Sequence, residues 1–134
     1  MKISSLIILA IVVISCQSTP VETSGVEPEV NLGENFAIKI GEETQVKGSD
    51  VTISFKDVSE DTRCPISFSC VWAGNAKLSI QVKGEGLELN TVSDPQTISS
   101  DGYSIALVTL DPYTEDAKVI PKNKYVATLV VTKE

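Results

Sequence analysis

From Asn35 onward the apolar residues of this chain recur at every second position, and that period constrains its fold more than any other feature. Phe36, Ile38 and Ile40 alternate with Ala37 and Lys39. Val51, Ile53 and Phe55 alternate with Thr52, Ser54 and Lys56. Ala76, Leu78, Ile80 and Val82 alternate with Lys77, Ser79, Gln81 and Lys83, and Leu87 and Leu89 with Glu88 and Asn90. Successive side chains of a strand point to opposite faces, so the pattern predicts strands with one buried face. Segments 103–110 and 125–131 are apolar at both phases and suit central strands. The short run 44–47 suits a further one. Turn signals separate the runs, among them Gly48-Ser49-Asp50, Gly84-Glu85-Gly86, Asp94-Pro95, Asp101-Gly102 and Asp111-Pro112. No helical stripe follows residue 16. The expected fold is all-β: an immunoglobulin-like antiparallel β-sandwich of about 6–8 strands, with a small β-barrel as the alternative. One phase slip interrupts the pattern. Val58 is one residue out of step with Phe55, so either a bulge lies near Asp57 or the strand ends there.

The N-terminal segment has a different character. In residues 1–15 the side chains are mostly apolar and Lys2 is the one charge. The unbroken apolar run 6–14 is too short to span a hydrocarbon core, which takes about 20 residues, but it fits a secretory signal. It ends at Val13, Ile14, Ser15 and Cys16: an aliphatic residue three before a cysteine, a small residue just before it, then the cysteine. This resembles a bacterial lipobox. The resemblance implies cleavage before Cys16, a diacylglycerol on its sulfur and an acyl chain such as palmitate on its amino group. An ordinary cleaved signal ending near a cysteine is the alternative. Each buried CH₂ contributes ~0.8 kcal/mol, so two or three chains hold a protein firmly where one binds reversibly. Gln17 follows the cysteine; in Gram-negative lipoproteins an Asp there favours inner-membrane retention. The resemblance therefore implies the bacterial cell envelope, at the outer membrane if the source has one, facing periplasm or surface. Residues 17–33 carry prolines, glycines and three glutamates but no basic residue, and read as a tether. The expected organisation is a signal peptide over 1–15, a lipidated Cys16 with a flexible acidic tether over 16–33, and a β-domain over 34–134.

With Cys16 lipidated, Cys64 and Cys70 remain as an even pair in an oxidising compartment, and a disulfide is the natural reading. Closing a seven-residue loop is worth about 2.4 kcal/mol in the chain-entropy model, so the bond shapes a loop more than it staples the domain. The surrounding residues Asp61, Thr62, Arg63, Cys64, Pro65, Cys70, Trp72 and Gly74 resemble a segment of small bacterial envelope lipoproteins with no assigned activity: Asp, Ser or Thr, Arg-Cys-Pro, four residues, Cys, any residue, Trp, any residue, Gly. The resemblance covers fourteen residues and implies location and fold rather than chemistry. Pro65 fixes φ at the mouth of the loop. Gly74 supplies a backbone conformation that other residues rarely reach. Asp61 is expected either to pair with Arg63 or to accept backbone N–H groups of the loop. Trp72 is expected to pack against the disulfide and the sandwich edge. A recognition role for Phe68 and Trp72 is the competing reading. For Ile66 and Phe68 both readings stay open, since apolar residues at the tip of a short surface loop need a reason.

Several chemistries are excluded or disfavoured. The chain has no histidine, hence no Ser-His-Asp triad, Cys-His pair or imidazole metal site. Eighteen acidic against eleven basic residues argue against nucleic acid as a partner. Five residues between Cys64 and Cys70 do not make a redox Cys-x-x-Cys motif. Two acidic clusters, Asp57/Glu60/Asp61 and Asp111/Glu115/Asp116, offer hard oxygen ligands but match no EF-hand loop, and read as solvated turns. No cofactor, metal site or catalytic residue is expected. The expected function is a non-enzymatic, membrane-anchored binding or accessory module with an envelope protein as partner. The alternative is an inhibitor-type protein that presents the Cys64–Cys70 loop to an enzyme.

Overall fold

A computed structural model describes residues 28–134 of the chain; the expected signal peptide, the lipidated Cys16 and the tether as far as residue 27 lie outside the described residues. The body is all-β, with nine strands: β1 (Glu29–Val30), β2 (Asn35–Lys39), β3 (Glu43–Val46), β4 (Thr52–Asp61), β5 (Ala76–Val82), β6 (Glu85–Asn90), β7 (Thr97–Ser100), β8 (Tyr103–Asp111) and β9 (Val126–Lys133). A single 3-10 turn, Lys122–Lys124, precedes β9. Among the described residues no helix is long and apolar enough to cross a membrane.

The strands form two sheets in the orders β1-β3-β4-β5-β6 and β2-β9-β8-β7. Apart from the β1–β3 pair, every pairing is antiparallel. The chain passes between the sheets at β1 to β2, β2 to β3 and β6 to β7, and otherwise meanders within each sheet. This order is that of an up-and-down barrel opened along two seams. It therefore combines the two-sheet architecture with the barrel connectivity named as its alternative. Strand order itself is not encoded in local periodicity.

The alternating residues fill the space between the sheets. Ile53 and Phe55 of β4, Leu78 and Ile80 of β5, Leu89 of β6, Ile105 of β8 and Leu129 and Val131 of β9 are fully buried. β8 and β9 are central, as their composition predicted, but their outer faces meet solvent: Val126 and Val130 are half-buried and Val108 is exposed. The reason is that no helix layer covers this antiparallel sheet. The phase slip in β4 is a bulge, with register shifts between Phe55 and Asp57 and again between Val58 and Glu60. The extra residues return Val58 to the core and carry the strand on to Asp61.

The expected start of the domain at residue 34 needs correction. Glu29 and Val30 pair with Gln45 and Val46, Val30 packs against the core, and the Gly33 N–H donates to the Val131 carbonyl at 2.7 Å. Val30 and Leu32 are too few to show a period, so composition placed them in the tether. The chain joins the sandwich beside Thr52, at the end of β4 away from the cysteines.

Candidate functional site

The ends of β4, β6 and β8 and the starts of β5 and β9 meet at one pole of the sandwich. There the chain leaves β4 at Asp61 and returns as β5 at Ala76, and the segment between them holds the two paired cysteines. Cys64 and Cys70 are joined, with their Cα atoms 6.0 Å apart.

Arg63 fixes this segment to both sheets. Its side chain is 3% exposed. Nε and Nη2 donate to the two oxygens of Asp61 at 2.8 and 2.7 Å, a bidentate pair. Nη1 donates to the Leu110 carbonyl at 2.6 Å and Nη2 to the Pro112 carbonyl at 3.0 Å. The guanidinium carbon lies 4.9 Å from the centre of the Tyr113 ring, within cation–π range. Tyr125, at the start of β9, donates its hydroxyl to Asp61 at 2.8 Å. Both outcomes expected for Asp61 occur, since its Oδ1 also accepts the Arg63 N–H at 3.3 Å. Arg63 alone, with donors in a planar fork, meets a carboxylate and two carbonyls at once.

The electrostatics follow from this geometry. Burial opposes ionisation of Asp61, but the hydrogen bonds from Arg63 and Tyr125 and the Arg63 charge outweigh it and hold the carboxyl below its usual range. Burial also opposes the Arg63 charge, and the Asp61 bond and charge overcome it and raise the guanidinium further. Burial together with the bond to Asp61 pushes the Tyr125 hydroxyl up to about 12. At neutral pH the network is a locked ion pair with a neutral phenol attached. It has no group poised to take or give a proton.

Gly74 is the second fixed point. It sits at φ +72°, and a Cβ there would fall 1.9 Å from the Thr62 carbonyl oxygen. The strands flanking the cysteine segment approach this closely because Thr62 N–H donates to the Asn75 carbonyl and Cys64 N–H to the Ala73 carbonyl, each at 2.8 Å. On its other flank the segment is held by the 112–121 connection. Ile66 N–H donates to the Thr114 carbonyl and Ser67 N–H to the Glu115 carbonyl. The Ser67 hydroxyl also bonds the Glu115 carbonyl.

This scaffold carries apolar side chains into solvent. Ile66 is 70% exposed and Phe68 57%. Val71 is fully exposed, and Trp72 is also 57% exposed. The expectation that Trp72 packs away against the disulfide and sandwich edge is corrected: it stands over the outer face of the five-stranded sheet beside Glu60 and Lys77. Val92, Val108, Tyr113 and Val119 are exposed at the same pole, and among the described residues Leu32 is the one large exposed apolar residue away from it.

The acidic clusters are largely engaged. Asp57 pairs with Lys122 at 2.8 Å, Asp61 with Arg63, and Asp116 with Lys118 at 2.7 Å. Asp111 accepts the Thr109 hydroxyl. No set of three potential ligands is grouped to hold a metal ion among the described residues.

Periodicity missed Tyr125, Tyr113 and the two carbonyl partners of Arg63. Tyr125 looked like one more apolar residue of β9; its place just ahead of the strand was the available signal. Leu110 and Pro112 act through backbone atoms, which leave no mark on side-chain pattern. Comparison with protein-family models, with curated proteins and with solved structures returned no significant match.

Proposed function

We propose that this chain is a lipid-anchored lipoprotein of the bacterial cell envelope whose β-domain is a non-enzymatic binding module, and that it contacts an envelope protein through Ile66, Phe68 and Val71. The observation that carries this reading is the exposed apolar crest on a segment closed by a disulfide and clamped by Arg63. Exposing such side chains in water is unfavourable, and here the fold holds them out on a rigid frame rather than letting them collapse. Rigidity lowers the entropy lost on binding. The lipobox resemblance at Cys16 and the fourteen-residue resemblance around Cys64 support the envelope assignment. The missing histidine and the locked state of the Asp61–Arg63–Tyr125 network support a module that binds rather than one that catalyses.

The same rigid loop favours an inhibitor-type protein as the second reading, with an enzyme cleft as the surface contacted. Two substitutions test the assignment. Cys16→Ser is expected to release the protein from membranes; firm association of the variant would remove the anchor from the account. Phe68→Ser is expected to abolish capture of the partner while the thermal transition stays in place, since Phe68 is 57% exposed and lies outside the buried core. Capture that survives the change would make the crest structural. If the captured partner is an enzyme, its activity in the presence of the wild-type domain separates the two readings.

A further inference from the structure

Trp72 belongs to a different surface from Ile66 and Phe68. It forms one wall of an open groove of about 320 Å³ on the outer face of β4, β5 and β6. Register places Glu60 opposite Lys77 and Lys77 opposite Asn90, so the three form a row across the sheet on one face. Glu88 lies two residues before Asn90 on the same face of β6, with its carboxylate 3.8 Å from the Lys77 ammonium. The 91–95 turn folds over this face and supplies the opposite wall through Ser93 and Asp94.

The floor is built rather than incidental. Asn75 and Asn90 are 7% and 4% exposed. The Asn75 amide nitrogen donates to the Asn90 side-chain oxygen at 2.9 Å. The Asn75 oxygen accepts the N–H groups of Val92 and Ser93 at 3.0 and 3.1 Å, and Asn90 donates to the Asp94 carbonyl. Burying two amides costs free energy unless each is bonded, and here they hold the turn that shapes the groove. Gly74, between Trp72 and Asn75, holds the backbone here close against Thr62.

We propose that this groove binds an uncharged saccharide. A sugar ring has an apolar C–H face and a rim of hydroxyls. Trp72, 57% exposed and lining the groove, matches the first. Carboxylates, an ammonium and a serine hydroxyl match the second, because hydrogen bonds to charged groups are the stronger kind. The Lys77–Glu88 pair is solvent-exposed and weak, so its atoms are free to exchange each other for hydroxyls. Glu60, Glu88 and Asp94 outnumber Lys77, which sets the groove against uronates and other anionic sugars. A protein anchor residue would need a desolvated apolar pocket, and these walls are mostly polar. The volume lies at the lower end of the roughly 300–1,000 Å³ of small-ligand sites, which fits one or two sugar rings on an open surface. This inference stands apart from the protein contact at Phe68.

Trp72 is the only tryptophan of the chain, so its fluorescence reports on the groove directly. The test titrates the full chain with soluble cello-, malto-, manno- and N-acetylchito-oligosaccharides, and with a galacturonate oligomer as the anionic control. At least one uncharged oligomer is expected to shift the emission saturably, and to move the amide resonances of Lys77 and Glu88 but not of Phe68. Trp72→Ala, a change at an exposed side chain, is expected to weaken that binding at least roughly tenfold by calorimetry. Phe68→Ser is expected to leave it unchanged, so failure of the protein contact and failure of the groove are told apart. Silence from every uncharged oligomer, equal response to the galacturonate, or affinity unchanged in Trp72→Ala overturns the proposal.

Discussion

Arg63 joins two sheets that share no hydrogen-bonded strand pair at this pole: its carboxylate partner lies on β4, and its carbonyl acceptors lie at and beyond the end of β8. Replacing it by Met would leave a partly buried carboxylate without its counter-charge and two carbonyls without donors. The expected loss is about 3–5 kcal/mol, read as a lower midpoint in urea at unchanged slope. Arg63→Lys is expected to recover only part of it, because one ammonium cannot span the three acceptors. Gly74→Ala is expected to cost on the order of 3 kcal/mol or more, since the new methyl meets backbone and the φ is left-handed. A Gly74→Ala midpoint within error of wild type would show that the close approach to Thr62 is not needed. The network also sets a pH dependence. Asp61 has a folded value below its ordinary 3.8, so its contribution is complete above that value and is lost as pH falls through the lower folded one. Tyr125 has a folded value raised from 10.0 to about 12, so its contribution is complete below 10.0 and is lost as pH rises through about 12. Tyr125→Phe is expected to remove the late phenolate step in an alkaline absorbance titration and to flatten the fall in stability over that range.

At the scale of elements, β2, β4, β5 and β6 were legible from their period-two runs and β8 and β9 from their continuous apolar runs, because each buries a face in a single core. β1 and β7 were not. β1 has two residues, and β7 is a four-residue edge strand whose one sizeable apolar side chain, Ile98, is half-buried. Such segments are fixed by pairing partners that lie far away in sequence, and local pattern cannot name them. The cysteine segment was legible by residue type but not by direction. Arg63 and Asp61 were identifiable as a pair, whereas the outward placement of Trp72 left no mark on the local pattern. Removing the disulfide with Cys64→Ser and Cys70→Ser together is expected to cost at most about 2.4 kcal/mol, because Arg63 and the bonds to Thr114 and Glu115 still hold the segment. The crest is then expected to show faster amide exchange at Phe68 while β5 remains protected. Loss of protection across β5 would mean that the bond staples the whole domain.

The molecule as a whole is polarised. At the pole remote from the cysteines, Lys83 reaches Asp50 at 3.0 Å and Asp101 at 3.1 Å, so three polar turns are tied together there in solvent. The exposed apolar side chains gather at the cysteine pole, and the described chain begins beside Thr52, nearer the polar end. The direct measurement is site-specific photo-crosslinking of the full-length protein in the cells that make it. The photoreactive residue is placed at Phe68 in one variant and at Ser49, on the polar pole, in another. The account predicts a discrete protein adduct from position 68 and none from position 49. No adduct from position 68, or the same adducts from both positions, would contradict it.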